Sequence, residues 1–498
     1  RIRDFADFRG AELTASWRNG LMGSQPGTIV VFGGGLAGNM TAVGLANSLA
    51  ADYRIIQLAR ESHPAEDLLY GSTTDPDSYN FLLRLGLDEP TLLLNSATSF
   101  SYGTHFRRWP ASRGWVQCHH APLPAISNIP LRHHITRASE PLEPFLISAE
   151  AAKAGRFAHP PSDSASPLSG AEYGYQFDVA EWTALLEQKI EDSRIKRIRS
   201  PIAAIETREG RITGVRMPDG ETIEADFFVD AGGVSRHAIL AAGGKFCGDR
   251  TISVRSVVRQ SERIGPPCRI VESATEGWSC TAHLQTSDQT LHIRTAPESG
   301  AGTAGQPVEL GTLAEAWVAN CVAVGHAAGV VEPLTPGPMM MLRRDIERLI
   351  ELIPASRDMT VERREFNRRF RDDIEHLSLF HDRILASNIA PESPYWRDAV
   401  PEILQEKLQR KIRQFENRGV LTHYDLEPFN EEDWTTLHMG LRGLPRHYDR
   451  QVDGVSEQES RAELSRIRQS VHQLVSRLPT HHDYVTRLKH YLRTKRHG

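Results

Sequence analysis

The chain has 498 residues, 40% hydrophobic and 24% charged, with a formal net charge of −5. At ~100–200 residues per domain, this length predicts a few domains or one large composite with a full core. The charge balance excludes a broad basic field for nucleic acid or an anionic membrane, and no run of ~18 apolar residues predicts a membrane-spanning helix.

Cys118, Cys247, Cys268, Cys280 and Cys321 are scattered and form no C-x-x-C pair. They read as buried free thiols in a reducing cytoplasm, not as a disulfide framework or a zinc site. The opening RIRDFADFRG lacks the apolar core of a signal peptide, so the expected location is cytoplasmic. Only eight residues are lysines, and none lies between Arg1 and Glu150.

Residues 1–27 read as a polar N-terminal extension. TIVVFGGGLAGNMTAVGLANSLA then predicts a strand over Thr28–Phe32, a glycine turn and a helix from about Leu36. YRIIQLA (53–59) predicts the second strand of a βαβ unit. Gly33, Gly35 and Gly38 make a G-x-G-x-x-G turn. Its glycines let the backbone approach a pyrophosphate, and the amides of Leu36 and Ala37 at the helix start face the charge. The second strand of such a site should end in Asp or Glu for the adenosine ribose. Here it ends in Leu58-Ala59-Arg60, so either Glu61 reaches back to that ribose or affinity falls.

The Ala-, Ser-, Pro- and Gly-rich stretch 150–172 predicts a loop or insertion. FDVAEWTALLEQKI predicts an amphipathic helix. IAAIETREGRITGVRMPDGETIEADFFVDAGG predicts a three-stranded meander, turning at Glu209-Gly210 and Asp219-Gly220, that leads into one more parallel strand. VANCVAVGHAAGVVEPL reads as another strand–glycine–helix join, and from about Met340 onward charged helical patterns dominate. Gly232 and Gly325 thus stand in returning strand–glycine joins. A nicotinamide site has no need of them, whereas the longer FAD is gripped by several such segments, so FAD is the expected cofactor. The expected division is an extension (1–27), a FAD-binding α/β domain with interspersed substrate-domain segments (28–345) and a helical C-terminal region (346–498).

GGGLAGNMTA (33–42), YQFD (175–178), ADFFVDAGG, VAVGHAAGVVEPL (322–334), PYWRD (394–398) and FNEEDWTTLHMGLRGLPRHYD (429–449) occur in one order. They resemble signatures of the flavin-dependent tryptophan halogenases, among them GGGTAGWMTA, YHFD and VAIGxAxGFVEPL. The resemblance implies an α/β fold: a FAD-binding Rossmann-like (glutathione-reductase/PHBH-like) domain with a mostly helical C-terminal part on the substrate side. It also implies an oxidoreductase of secondary metabolism. In the family, FADH2 from a separate reductase activates oxygen and a halide beside the flavin becomes hypohalous acid. That acid crosses a tunnel to a lysine, which with a glutamate directs it onto an aromatic ring. A small aromatic substrate, a flavin reductase and a second copy of the chain are the implied partners.

The chain departs from the family where halogenation is performed. The lysine of A-T-F-K-L-G-I-R-F-x-x-W falls on Ser101. In E-P-L-E-S-T-G the glutamate falls on Thr335 and the serine on Pro336. The two backbone donors to the halide fall on Gly337, which is also expected among the cofactor-binding residues, and on Pro338, and proline has no N–H. One lost donor should weaken a partly desolvated anion by ~1–3 kcal/mol. W-x-W-x-I-P becomes Trp278, Cys280, Ala282 and His283, which removes bulk from the segment that separates substrate from flavin. The flavin-side loop becomes Tyr70 to Pro76, with Ser72 for its glutamate.

Three readings follow. One is a FADH2-dependent monooxygenase on an indole- or phenol-like substrate, with Ser101, Thr335 and His283 as polar contacts at the catalytic centre. Another is a non-catalytic binding protein on the same scaffold. The third is a halogenase with relocated groups. No metal site is expected, because the adjacent pairs His119-His120, His133-His134 and His481-His482 point their side chains apart and read as surface histidines. Met339 to Met341 and Trp109, Trp115 and Trp396 read as packing, the basic run RLKHYLRTKRHG as a solvated helix end, and Tyr102 as a cavity residue by family position alone.

Overall fold

The computed structural model describes residues 27–60, 67–109, 114–119, 123–164, 166–296, 305–354, 356–387 and 393–496. Glu61 lies outside them.

Thr28–Phe32 is a central strand of a six-stranded sheet, paired in parallel with Arg54–Leu58 on one side and Phe227–Asp230 on the other. Lys196–Ile198 and Cys321–Ala323 extend the sheet outward in parallel, and Trp317–Val318 ends it antiparallel. Ile29, Val30 and Val31 are inaccessible to solvent, as continuous apolar strands in a covered parallel sheet must be. The helix Leu36–Ser48 is buried along its first ten residues, where Ala37, Gly38, Ala42 and Gly44 permit close packing all round. The meander forms as expected from Ala204–Arg208, Arg211–Arg216 and Thr222–Glu224. Its first turn puts Glu209 and Gly210 at φ 53° and 76°, the left-handed pair of a tight hairpin.

A second, eight-stranded sheet stands beside the first. Its order is Gly329–Val330, Gln306–Leu313, Phe246–Gln260, Ser287–Thr295, Gly277–His283, Arg269–Ala274, Gly103–Arg107 and Trp115–Cys118. All neighbours are antiparallel except Arg269–Ala274 with Gly103–Arg107. The described chain beyond Gly337 is helical, from Gly337–Glu351 to His481–Arg496. Among the described residues no helix is long and apolar enough to cross a membrane.

Four expectations are corrected. The start of the 150–172 stretch is helical, within Ile147–Lys153, because alanines dominate there. No α-helix follows the Gly325 turn directly: a short 3-10 turn and the strand Gly329–Val330 intervene, and Pro333 and Pro336 hold helix formation back to Gly337. Cys247 is exposed, while the other four free thiols are buried. His133, His134 and His481 are buried, because each ring is satisfied internally. His134 Nδ1 meets Ser460 Oγ at 2.8 Å, Asp449 N donates to His133 Nδ1, and His481 Nδ1 meets the Gly265 carbonyl at 2.8 Å.

Candidate active site

Three glycine turns converge at the carboxyl ends of the parallel strands. Gly33 has φ +121°, and a Cβ there would lie 2.3 Å from the Ala231 carbonyl oxygen. A Cβ on Gly38 would lie 2.3 Å from the Gly33 oxygen. Both positions therefore require glycine. Gly33 and Gly34 donate to the carbonyls of Leu58 and Arg60, and Gly35 begins the helix with no side-chain cap. The amides of Leu36 and Ala37 thus offer the positive helix end to an anion. The register Phe32↔Leu58 sets Ala59 beside Gly33, where a ribose-binding acid is expected.

Gly232 belongs to the second turn. Asp230 Oδ1 accepts from Gly232 N at 3.0 Å, and Oδ2 accepts from Ala238 and Ile239 N at 2.8 and 2.9 Å. Gly325, at φ +58°, forms the third and donates to Asp345 Oδ2 at 3.0 Å. A Cβ on Gly325 would meet the Tyr70 hydroxyl at 2.5 Å, and the Tyr70 ring stacks on His326 with centroids 3.9 Å apart. Burial pushes Asp345 up to about 7, with Arg348 pulling the other way. A cleft of about 890 Å³ lined by Gly34, Ala59, Arg60 and Arg197 opens beyond the first turn. Added Cβ atoms at Gly33, Gly38 and Gly325 would collide with the protein's own atoms, so these turns stay tight, and the backbone they present at the strand ends fits an extended dinucleotide.

A separate cavity of about 300 Å³ lies at the start of the helix Gly337–Glu351. Thr335, Pro336, Gly337 and Met340 form one wall, Phe380 and Phe429 another, and Thr104, Cys118 and His119 a third. Phe380 and Phe429 stack at 4.0 Å. Thr335 Oγ1 lies 2.9 Å from His381 Nε2 and accepts the Gly337 N–H at 3.2 Å. Burial pushes His381 down to about 3, so this imidazole is neutral. Burial likewise pushes His119 down to about 4. Two buried atoms of lining residues, His119 Nε2 and Thr104 Oγ1, make no hydrogen bond within the protein.

Of the three catalytic residues expected from sequence, only Thr335 lines this cavity in the structure. Ser101 is fully buried and its Oγ donates to the Gly103 carbonyl at 3.0 Å. His283 ends the strand Gly277–His283 with Nδ1 2.7 Å from Asp288 Oδ1. Gln176 ties these two neighbourhoods together: its strand pairs with Ser99–Ser101, and its Oε1 accepts from His283 N. Tyr102 is inaccessible and donates to the Ala158 carbonyl at 2.6 Å. Gly337, expected from sequence at the cofactor, lines this cavity.

Sequence reasoning missed His119, Thr104 and Arg269. His119 was hidden in a His-His pair. Arg269 is fully buried and donates to the carbonyls of Gly71 and Leu334, joining the flavin-side loop to the segment that carries Thr335. Its guanidinium also meets the Cys280 thiol, and burial lowers its pKa. Nothing in spacing or composition marks either contact. Among the described residues no group of three or more His, Cys, Asp or Glu could hold a metal ion.

The sequence profile for tryptophan halogenases matches residues 28–457. The tryptophan 6-halogenase SttH of Streptomyces toxytricini is 22% identical over 92% of this chain and 98% of its own. A flavin-dependent halogenase from Xanthomonas campestris superposes with a TM-score of 0.84 at 23% identity, covering 93% of this chain and 98% of its own. BrvH, a flavin-dependent halogenase from Brevundimonas sp. BAL3, does so at 0.84 and 24%, covering 93% and 99%. With its glycine cradle, its cavity and a profile match over most of its length, the chain belongs to the tryptophan halogenase family.

Proposed function

We propose that this member of the family is an FADH2-dependent monooxygenase that hydroxylates a small indole- or phenol-like substrate and does not halogenate it. One observation carries the reading. The Gly337 N–H is donated to Thr335 Oγ1, and Pro338 has no N–H. Both backbone donors that the resemblance assigns to a halide are therefore removed, one by an internal hydrogen bond and one by covalent structure. A desolvated anion without donors is not retained.

The cofactor is FADH2 supplied by a separate flavin reductase. Gly33, Gly35, Leu36, Ala37, Gly38, Gly232 and Gly325 would hold its dinucleotide part. Bound there, it supplies activated oxygen, and the reaction balances as ArH + O2 + FADH2 → ArOH + H2O + FAD. The chain's own groups do the rest. Phe380, Phe429, Met340 and Pro336 give the ring an apolar surface to pack on within a lining that is otherwise largely polar. Neutral His119 can accept the ring N–H or O–H through Nε2, which raises electron density on the ring to be attacked. Thr335, held by His381, fixes the wall nearest Gly337.

The test supplies purified protein with FADH2 from a reductase, oxygen, bromide and a panel of indoles and phenols. Hydroxylated products without bromine are expected, and brominated products defeat the proposal. Ala59 in the place of the ribose acid favours a second reading, a binding protein with little hold on FAD. Protein that stays colourless after incubation with FAD would establish that alternative.

A further inference from the structure

Where a ribose-binding acid is expected, the chain places arginines. We infer that the adenosine end of the first glycine turn is a ribose-phosphate site. The turn thereby takes, as an alternative occupant to FAD, an adenine dinucleotide phosphorylated on the ribose 2′ oxygen, of NADPH type.

Position comes first. In a strand–glycine–helix unit the end of the second strand faces the adenosine ribose. An acid there accepts from the 2′-OH and repels a 2′-phosphate, whereas a nearby arginine attracts it. Here Ala59 removes the repulsion and Arg60 follows it. The cleft of about 890 Å³ at this strand end joins Gly34 and Ala59 to Arg60, Arg197 and Arg199. Pro201 and Ile202 line the same cleft and offer an adenine ring an apolar surface. Arg60 also lines the hollow between the first two glycine turns, beside Gly33, Gly232 and His237.

Charge decides the ligand. Among the described lining residues Glu187 is the one acid, against three guanidinium groups. Glu187 accepts from Arg197 Nη2, while Nε and Nη1 of Arg197 are buried with no acceptor in the protein. Arg60 Nη1 lies 2.9 Å from His237 Nδ1. A guanidinium has no lone pair to offer, so the ring nitrogen accepts, and this uncharged partner leaves the charge of Arg60 uncompensated. Arg199 is 60% exposed and meets Glu187 and Glu191 only at 3.9 and 3.7 Å, beyond hydrogen-bond reach, and such exposed pairs contribute little. A phosphate can therefore engage Arg60 and Arg199 without displacing a hydrogen-bonded acid. FAD carries a hydroxyl at that ribose position and draws no such gain.

The test is calorimetric titration of the full-length, flavin-free protein with NADPH, NADH, 2′,5′-ADP and 3′,5′-ADP. NADPH is expected to bind roughly tenfold or more tighter than NADH, and 2′,5′-ADP tighter than 3′,5′-ADP, which carries the same phosphates on the neighbouring oxygen. Arg60 and Arg199 are both exposed, so Arg60→Ala and Arg199→Ala should fold. Each should reduce the NADPH preference severalfold, and together they should remove most of it. Equal binding of NADPH and NADH overturns the inference, as does a preference for 3′,5′-ADP, a preference unchanged in the double variant, or a lack of binding by both nicotinamide dinucleotides. NADPH that stays bound while FAD also binds overturns it too, because the two would then not share the turn. Protein that binds NADPH as expected but takes up no FAD would defeat the flavin-dependent oxygenase reading and leave the ribose-phosphate site standing.

Discussion

The indole N–H of Trp278 donates to Glu332 Oε2 at 2.8 Å. The Tyr395 hydroxyl donates to the same oxygen at 2.6 Å, and Arg250 pairs with the other oxygen. Three of the chain's family-like segments, those around Trp278, Glu332 and Tyr395, thus meet in one buried network that fixes the approach to Thr335. Glu332→Gln leaves the largely buried Arg250 with only the exposed Asp249, 4.0 Å away, as counter-charge and should cost about 3 kcal/mol of stability. Trp278→Phe removes one neutral donor and should cost about 1 kcal/mol. Urea denaturation of the two variants checks this order.

Halide affinity should be recoverable in two steps. Thr335→Val frees the Gly337 amide from its internal acceptor, and Pro338→Ala restores the second amide. Each returned donor contributes about 1 kcal/mol to anion binding, so the double variant should bind bromide roughly thirtyfold tighter than the parent, measured by titration of the FAD-loaded protein. An unchanged bromide affinity would show that the anion site is not at these amides.

Sequence was most informative where backbone geometry dictates residue type. Gly33 and Gly38 could be placed because any side chain would collide with Ala231 or Gly33 itself. The central strand could be placed because an unbroken apolar run suits only a covered sheet. The eight-stranded sheet was not foreseen as a unit. Phe246–Gln260 alternates imperfectly and is largely exposed toward its end, so its pairings are long-range facts with no local signature. The same limit applies to the cavity. Thr335 was legible by position in a motif, but His119 and Thr104 reach it through strand pairing, and Arg269 through hydrogen bonds to two distant loops.

Acid should weaken the fold below about pH 6.5. His119, His133 and His481 are each pushed by burial down to about 4, and His381 to about 3. A depressed imidazole contributes stability above its unfolded value near 6.5, and that contribution is lost as pH falls through the folded value. Asp345 acts in the opposite sense. Its folded value of about 7 lies above the ordinary carboxylate range, so its contribution is present at low pH and lost as pH rises through about 7. Asp345→Asn should therefore lose stability more steeply from about pH 7 down to about pH 4 than the parent, in urea midpoints collected across that window.

The loop that brings Phe429 to the cavity is anchored by a buried ion pair. Lys411 Nζ lies 2.9 Å from Glu427 Oε2 and donates to the Thr422 carbonyl. Glu427 Oε1 accepts from Trp434 Nε1 at 2.6 Å, and Oε2 accepts from Tyr424 N at 3.0 Å. Lys411→Met strands a fully buried carboxylate and should cost about 3–5 kcal/mol. Glu427→Gln leaves Lys411 charged and buried, at a similar cost. Lys411→Met combined with Glu427→Gln removes both charges and keeps the acceptor for Trp434, so the double variant should be more stable than Lys411→Met alone. Because the loop carries Phe429, Lys411→Met should also weaken binding of aromatic ligands, while Lys407→Met, which releases an exposed pair with Glu375, should change neither property. A double variant no more stable than Lys411→Met would mean that the loop is held by its aromatic contacts and not by this pair.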